Sequence, residues 1–168
     1  MRSTQSVRVH HEVTQICISC ALTSGDIRLI NLPGRPDQIA AAQEQLSFEF
    51  PLDHQLLLMR SNGVELVGLR FWSTEELPAA NIEYQFAKFA PWFVAIGSNG
   101  GGEAIGYLRA AREDGLYAVN FIGMDDPRRV AAGSVDLLSR IAAGGDLFHR
   151  ETASLDPAFI MGISLGVG

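Results

Sequence analysis

The apolar positions of this chain fall into short runs divided by turn-forming residues, and their spacing changes along the sequence. Val7 to Ile30 is rich in β-branched side chains and broken at Thr23-Ser24-Gly25-Asp26, which predicts a hairpin or two short strands. Leu32-Pro33-Gly34-Arg35-Pro36-Asp37 closes that stretch. Pro36 has the fixed φ suited to an early helical residue, and Ile39, Ala42 and Leu46 recur at helical spacing, so a helix is expected to about Ser47. A second helix is expected after Pro51, with Leu52, Leu56 and Met59 on one stripe and Leu57 and Leu58 beside it. Asn62-Gly63 should end it through a left-handed cap.

Beyond Gly63 the period shortens. Val64 to Trp72, interrupted by Gly68, predicts one or two strands, and Ser73 with Glu76 has the spacing of a capping box opening a helical turn. Asn81 to Pro91 fits neither pattern. Trp92 to Gly97, Glu103 to Arg109 and Gly115 to Phe121 are three strand-like runs in a meander pattern. Ser134 should cap a last helix with Val135, Leu138 and Ile141 on one face, stopped at Gly144-Gly145. Helices, then strands, then a helix predict an α+β fold with a mostly antiparallel β-sheet flanked by helices. The expected organisation is a strand-like extension over 1–30, a central domain over 31–145, and a tail over 146–168. The apolar end of that tail, Ala158 to Val167, is expected to pack on the domain or on another copy.

At 168 residues and 47% hydrophobic, the chain has the size and apolar content of one domain with a substantial core. A net charge of -6 and a pI near 5.1 argue against nucleic-acid partners, which need clustered lysine and arginine. An acidic face suits a basic partner, and it equally keeps a domain soluble. No apolar run reaches the roughly 18 residues of a membrane span. Glu12 interrupts the basic N-terminal flank, and Thr14, Gln15 and Ser19 dilute Val13 to Leu22, so no cleaved signal is expected. The two cysteines lie too close together to staple the domain, which places it in a reducing cytoplasm.

Candidate chemistry is sparse. The cluster Gly97-Ser98-Asn99-Gly100-Gly101-Gly102 could cradle an anion, but a phosphate loop needs Gly-Lys-Ser/Thr opening a helix, whereas Glu103 and a strand follow here. A structural turn is the expectation for Gly97, Gly100, Gly101 and Gly102. Cys17 and Cys20 form a single C-x2-C after His10 and His11, without a second ligand pair and with strand spacing that scatters the side chains, so no metal is expected. His54 and His149 are the remaining histidines and no Gly-x-Ser-x-Gly elbow occurs, so no catalytic residue and no cofactor is expected. The adjacent acids Glu75-Glu76 and Asp125-Asp126 read as helix-start or solvated surface charges. Trp72 and Trp92 read as core or sheet-face aromatics.

Three stretches carry a resemblance. Residues 44–63 run helix, Phe50, Pro51, apolar helix and Asn62-Gly63; residues 93–103 run Phe93-Val94-Ala95-Ile96, glycine-rich turn and Glu103; and Ala132 to Ile141 gives a helix with a serine start and an apolar face. In this order they resemble the SUKH domains, the superfamily of the yeast cell-wall-synthesis regulators and many bacterial immunity proteins, over roughly residues 35 to 145. Where the superfamily usually shows tyrosine after the proline, this chain has His54. The resemblance implies a sheet flanked by helices and a surface that binds a protein partner, in bacteria commonly a secreted nuclease or deaminase toxin. The leading expectation is a non-catalytic immunity protein that occludes a cognate toxin, touching it through Glu75, Glu76, Glu103, Asp114, Asp125 and Asp126 with Trp72 as anchor. A regulatory interaction module and a small-ligand or enzymatic domain built on the glycine turn are the alternatives.

Overall fold

The computed structural model describes residues 28–29, 31–66, 68–111 and 114–144. Of the hairpin or two strands expected over Val7 to Ile30 only Arg28–Leu29 is described; the rest of that stretch, the Cys17–Cys20 pair and the apolar tail lie outside the described residues. Among those described, seven strands form one antiparallel sheet in strictly sequential order: β1 (Arg28–Leu29), β2 (Val64–Leu66), β3 (Leu69–Phe71), β4 (Phe93–Ser98), β5 (Glu103–Leu108), β6 (Leu116–Asn120) and β7 (Arg128–Ala131). The helices are α1 (Pro36–Leu46), α2 (Leu52–Arg60), α3 (Glu76–Glu83), α4 (Phe86–Phe89) and α5 (Ser134–Ala142). The chain is therefore α+β, with a meander sheet flanked by helices. The run that fits neither period resolves into the end of α3, a break at Gln85 in the left-handed region (φ 56), and the single turn of α4.

Helix α1 buries Ile39, Ala42 and Leu46, the face its spacing sets. Helix α2 turns out differently from its expected stripe. His54, Leu56, Leu57 and Leu58 face inward, while Leu52 and Met59 are exposed, at 48% and 37%. The reason is α5, which packs across α2 and rotates the buried stripe onto His54 and Leu57 and Leu58. The end of α2 also departs from the expected cap. Ser61 is extended (φ -151), and Asn62 goes into the interior, where it accepts from the Thr74 N–H at 2.8 Å and donates to Thr74 Oγ1 and Glu75, each at 3.0 Å. Asn62 thus ties the end of α2 to the start of α3.

The core lies between the sheet and the helices, with Phe50, Phe71, Phe86, Phe93 and Tyr107 among its largest enclosed side chains. Each such ring contributes roughly 1.5–3 kcal/mol by leaving water. Strand β4 is buried on both faces from Phe93 to Gly97. Its partner β3 reaches only as far as Phe71 opposite Gly97, with the Trp72 N–H donating to the Ile96 carbonyl at 2.9 Å. Ala95 thus has no strand on that side. The Asn81 side chain of α3 takes the place of one: it donates to the Ala95 carbonyl at 2.8 Å and accepts from the Ala95 N–H at 3.1 Å. A buried peptide group must be paired, and here an amide side chain does what a backbone would.

Candidate functional site

The insert between β3 and β4 carries α3 and α4. Ser73 and Glu76 form the reciprocal capping box at its start, Ser73 N–H to Glu76 Oε2 at 3.0 Å and Glu76 N–H to Ser73 Oγ at 3.3 Å. With the start fixed, the helical period presents Glu76, Ala79, Ala80 and Glu83 to a cleft of ≈ 330 Å³, closed by Arg70, Trp72, Tyr84 and Ser98. Arg70 and Glu76 form an ion pair across it. Tyr84, 41% exposed, lies parallel to Trp72 at 6.5 Å between ring centroids and packs against Phe121 at 4.3 Å. The neighbouring Ile122 is almost wholly in solvent, at 97% exposed.

Trp72 itself is 7% exposed, so it backs this surface instead of standing out from it. Of the two rings lining this cleft, Trp72, expected as an anchor, is the covered one and Tyr84 the one that reaches solvent. Nothing in the sequence marked Tyr84, because it falls in the run with no clear period. The carboxylates expected to act together are spread out. Glu75, beside Glu76, accepts from Asn62 and Gln38, each at 3.0 Å. Slight burial would raise its pKa, but hydrogen bonds from its own N–H and from Thr74, Ser73 and Asn62 outweigh that and hold it below the ordinary glutamate value.

Glu103 faces inward across its own turn. It accepts from Asn99 Nδ2 at 2.7 Å and from Arg128 at 3.2 Å on each oxygen. Asn99 Oδ1 in turn accepts from the N–H groups of Gly101 at 2.9 Å and Glu103 at 3.0 Å. The backbone between them passes through positive φ at Gly100 (66°) and Gly102 (99°), conformations that a Cβ penalises. At Gly97 the constraint is space, since a Cβ would lie 2.2 Å from the Arg70 carbonyl oxygen. Two amides of this turn, those of Gly101 and Glu103, are thus committed to Asn99, and the Glu103 carboxylate is itself taken up by Asn99 and Arg128. Asp125 and Asp126 are exposed in the β6–β7 connection, which leaves the sheet beside the glycine turn, where the Phe121 N–H donates to the Gly102 carbonyl at 3.0 Å. Asp114 is exposed in the β5–β6 connection, at the opposite end of those strands.

A histidine–serine contact lies in the interior. His54 Nδ1 lies 2.9 Å from Ser134 Oγ, which lies 2.8 Å from the Tyr107 hydroxyl. His54, Ser134 and Tyr107 have no solvent exposure. Ser134 was expected to cap α5, but Gly133 occupies the cap and the hydroxyl turns inward to the ring. Burial pushes the His54 pKa down to about 3, so the imidazole is neutral near pH 7 and a weak base. Its Nε2 has no hydrogen-bond partner, and Phe50, Phe71 and Tyr107 surround it edge-on. Such a group joins α2, β5 and α5 from within the core. No cluster of three or more histidine, cysteine, aspartate or glutamate side chains among the described residues could hold a metal. No helix among them is long and apolar enough to cross a membrane.

In comparison with known proteins, one family model covers residues 33–140. This span runs from just before α1 to the last turns of α5 and includes the cleft, the glycine turn and the buried histidine. No curated protein matches the chain.

Proposed function

The chain belongs to the SMI1 / KNR4 family (SUKH-1), and on that footing we propose that it is a non-catalytic protein-binding domain. The specific role we infer is that of an immunity protein, neutralising a cognate bacterial toxin of the nuclease or deaminase class in the cytoplasm by covering its active face. The observation that carries this reading is the Tyr84 surface. An aromatic ring held between Trp72 and Phe121 is fixed before binding, so little side-chain entropy is lost when a partner arrives. Glu83 beside it is exposed, and a basic residue on the partner can stack on the Tyr84 face while pairing with that carboxylate. Enzymes that act on nucleic acid present lysine and arginine to phosphate, so a surface built this way competes for the same residues.

The test is surface-plasmon kinetics of the purified chain against the toxin domain encoded beside its gene. Tyr84→Ala should speed dissociation by about tenfold or more, as loss of a central aromatic anchor does. Absence of binding by the neighbouring protein, or binding indifferent to Tyr84, sinks the immunity reading.

A further inference from the structure

On the other flank of α3 lies a second cleft, of ≈ 340 Å³, between the end of α1, the α3–α4 hairpin and the ends of β4 and β5. Leu46, Ile82, Phe86 and Phe93 give it an apolar lining, and Leu46, Phe86 and Phe93 are themselves buried. Its charged residues are Lys88 and Arg109, and no carboxylate lines it. Neither cation has a carboxylate within ion-pair distance among the described residues, whereas Arg35, Arg70 and Arg128 each do. Arg109 donates from Nη1 to the Ser47 carbonyl at 3.1 Å and from Nη2 to the Leu46 carbonyl at 3.0 Å. These contacts fix the plane of the guanidinium at the mouth of the cleft and leave the rest of its fork available.

The Lys88 ammonium lies over the Phe89 ring at 4.7 Å, and an apolar floor bordered by two cations without a carboxylate partner selects a ligand with one apolar body and one anionic group. Its volume lies at the lower end of the roughly 300–1,000 Å³ range of small-molecule sites. We propose that this cleft binds a small hydrophobic carboxylate, with the carboxylate on Arg109 and Lys88 and the hydrocarbon on Leu46, Phe86 and Phe93. A planar oxyanion matches the remaining guanidinium donors, and the chain beyond it leaves water as it enters. The site is separate from the Tyr84 surface, and its occupancy does not depend on the immunity reading.

The experiment uses the full chain, titrated with octanoate, octylamine and octanol in parallel while amide resonances are followed by NMR. Saturable shifts at Leu46, Ile82, Phe86, Lys88 and Arg109 are expected with octanoate, together with a raised melting temperature, and octylamine should produce neither. Lys88→Glu should weaken octanoate by roughly tenfold. Because Lys88 is exposed, that variant should fold even if Arg109→Gln loosens the end of α1. Equal effects of octanoate and octylamine, or octanoate binding unchanged by Lys88→Glu, would overturn charge recognition. A peptide carrying leucine beside aspartate that moves the same resonances while octanoate does not would make the cleft a socket for a protein segment, and would overturn the small-molecule assignment.

Discussion

The two clefts share helix α3 as a common wall and have opposite character. On one side Glu76 neutralises Arg70, Glu83 remains exposed, and Tyr84 presents an aromatic face supported by Trp72 and Phe121. On the other, Lys88 and Arg109 share a lining with Leu46, Phe86 and Phe93, and no carboxylate joins them. A helix places residues three or four apart on one flank, so Ala79, Ala80 and Glu83 reach the first cleft while Asn81 and Ile82, on the other flank, line the second. The lesson is that an overall charge of -6 describes neither surface. A partner experiences the charge within about a Debye length, roughly 8 Å at physiological ionic strength, and at that scale the two flanks differ in sign.

Acid should erase the contrast by removing both clefts together. His54 has a folded pKa of about 3 against an ordinary value near 6.5, so between these values the unfolded chain binds a proton that the folded chain refuses. The stabilising contribution is fully present above about pH 6.5 and falls as pH drops toward 3, by at most ~1.4 kcal/mol per pH unit, several kcal/mol in all. Urea unfolding at pH 7, 5 and 4 measures it. His54→Phe should flatten that decline, and an unchanged slope in the variant would assign acid sensitivity to other groups.

Next in size is Asn81→Leu, which strands the Ala95 N–H and carbonyl in the interior. Two unpaired buried groups at roughly 1–3 kcal/mol each predict a loss of about 3 kcal/mol, read as a lower denaturation midpoint. Both flanks of α3 should loosen, because the same residue fastens them. The smallest effect discriminates best between the clefts. Glu83→Lys should slow association with a basic partner severalfold at low salt, whereas Lys88→Glu should leave that rate unchanged or raise it slightly. Stability should move by less than about 1 kcal/mol in either variant, since both side chains are exposed. Equal slowing by the two would mean that the flanks are not electrostatically distinct.

Much of the fold was legible because it rests on local rules. Periodicity located α1 and the strands β4 to β6, and the Ser73–Glu76 spacing marked the approach to α3. What escaped had non-local causes. The inward face of α2 is set by α5 crossing it, and Ser134 leaves its cap because His54 and Tyr107, distant in sequence, offer a buried hydroxyl two partners. Strand β7 was missed because Arg128-Arg129-Val130-Ala131 has no alternation, and its pairing comes from β6. The site was the least legible part. Trp72 attracted notice by its size, but whether a ring faces solvent depends on what stacks upon it, and Tyr84 is what stacks there.

The amide that stands in for a strand has a consequence for how this architecture can diversify. Within the insert from Ser73 to Pro91, Leu77, Asn81 and Phe86 are buried tethers, while Ala79, Ile82, Glu83, Tyr84, Gln85, Ala87, Lys88 and Phe89 face outward. Provided that Asn81 keeps its grip on Ala95, the outward letters can be rewritten without disturbing the sheet beneath. The insert then behaves as an exchangeable key blade on a constant bow: transplanting these outward positions between two members with different partners should transfer the choice of partner and leave the host's melting behaviour nearly as it was.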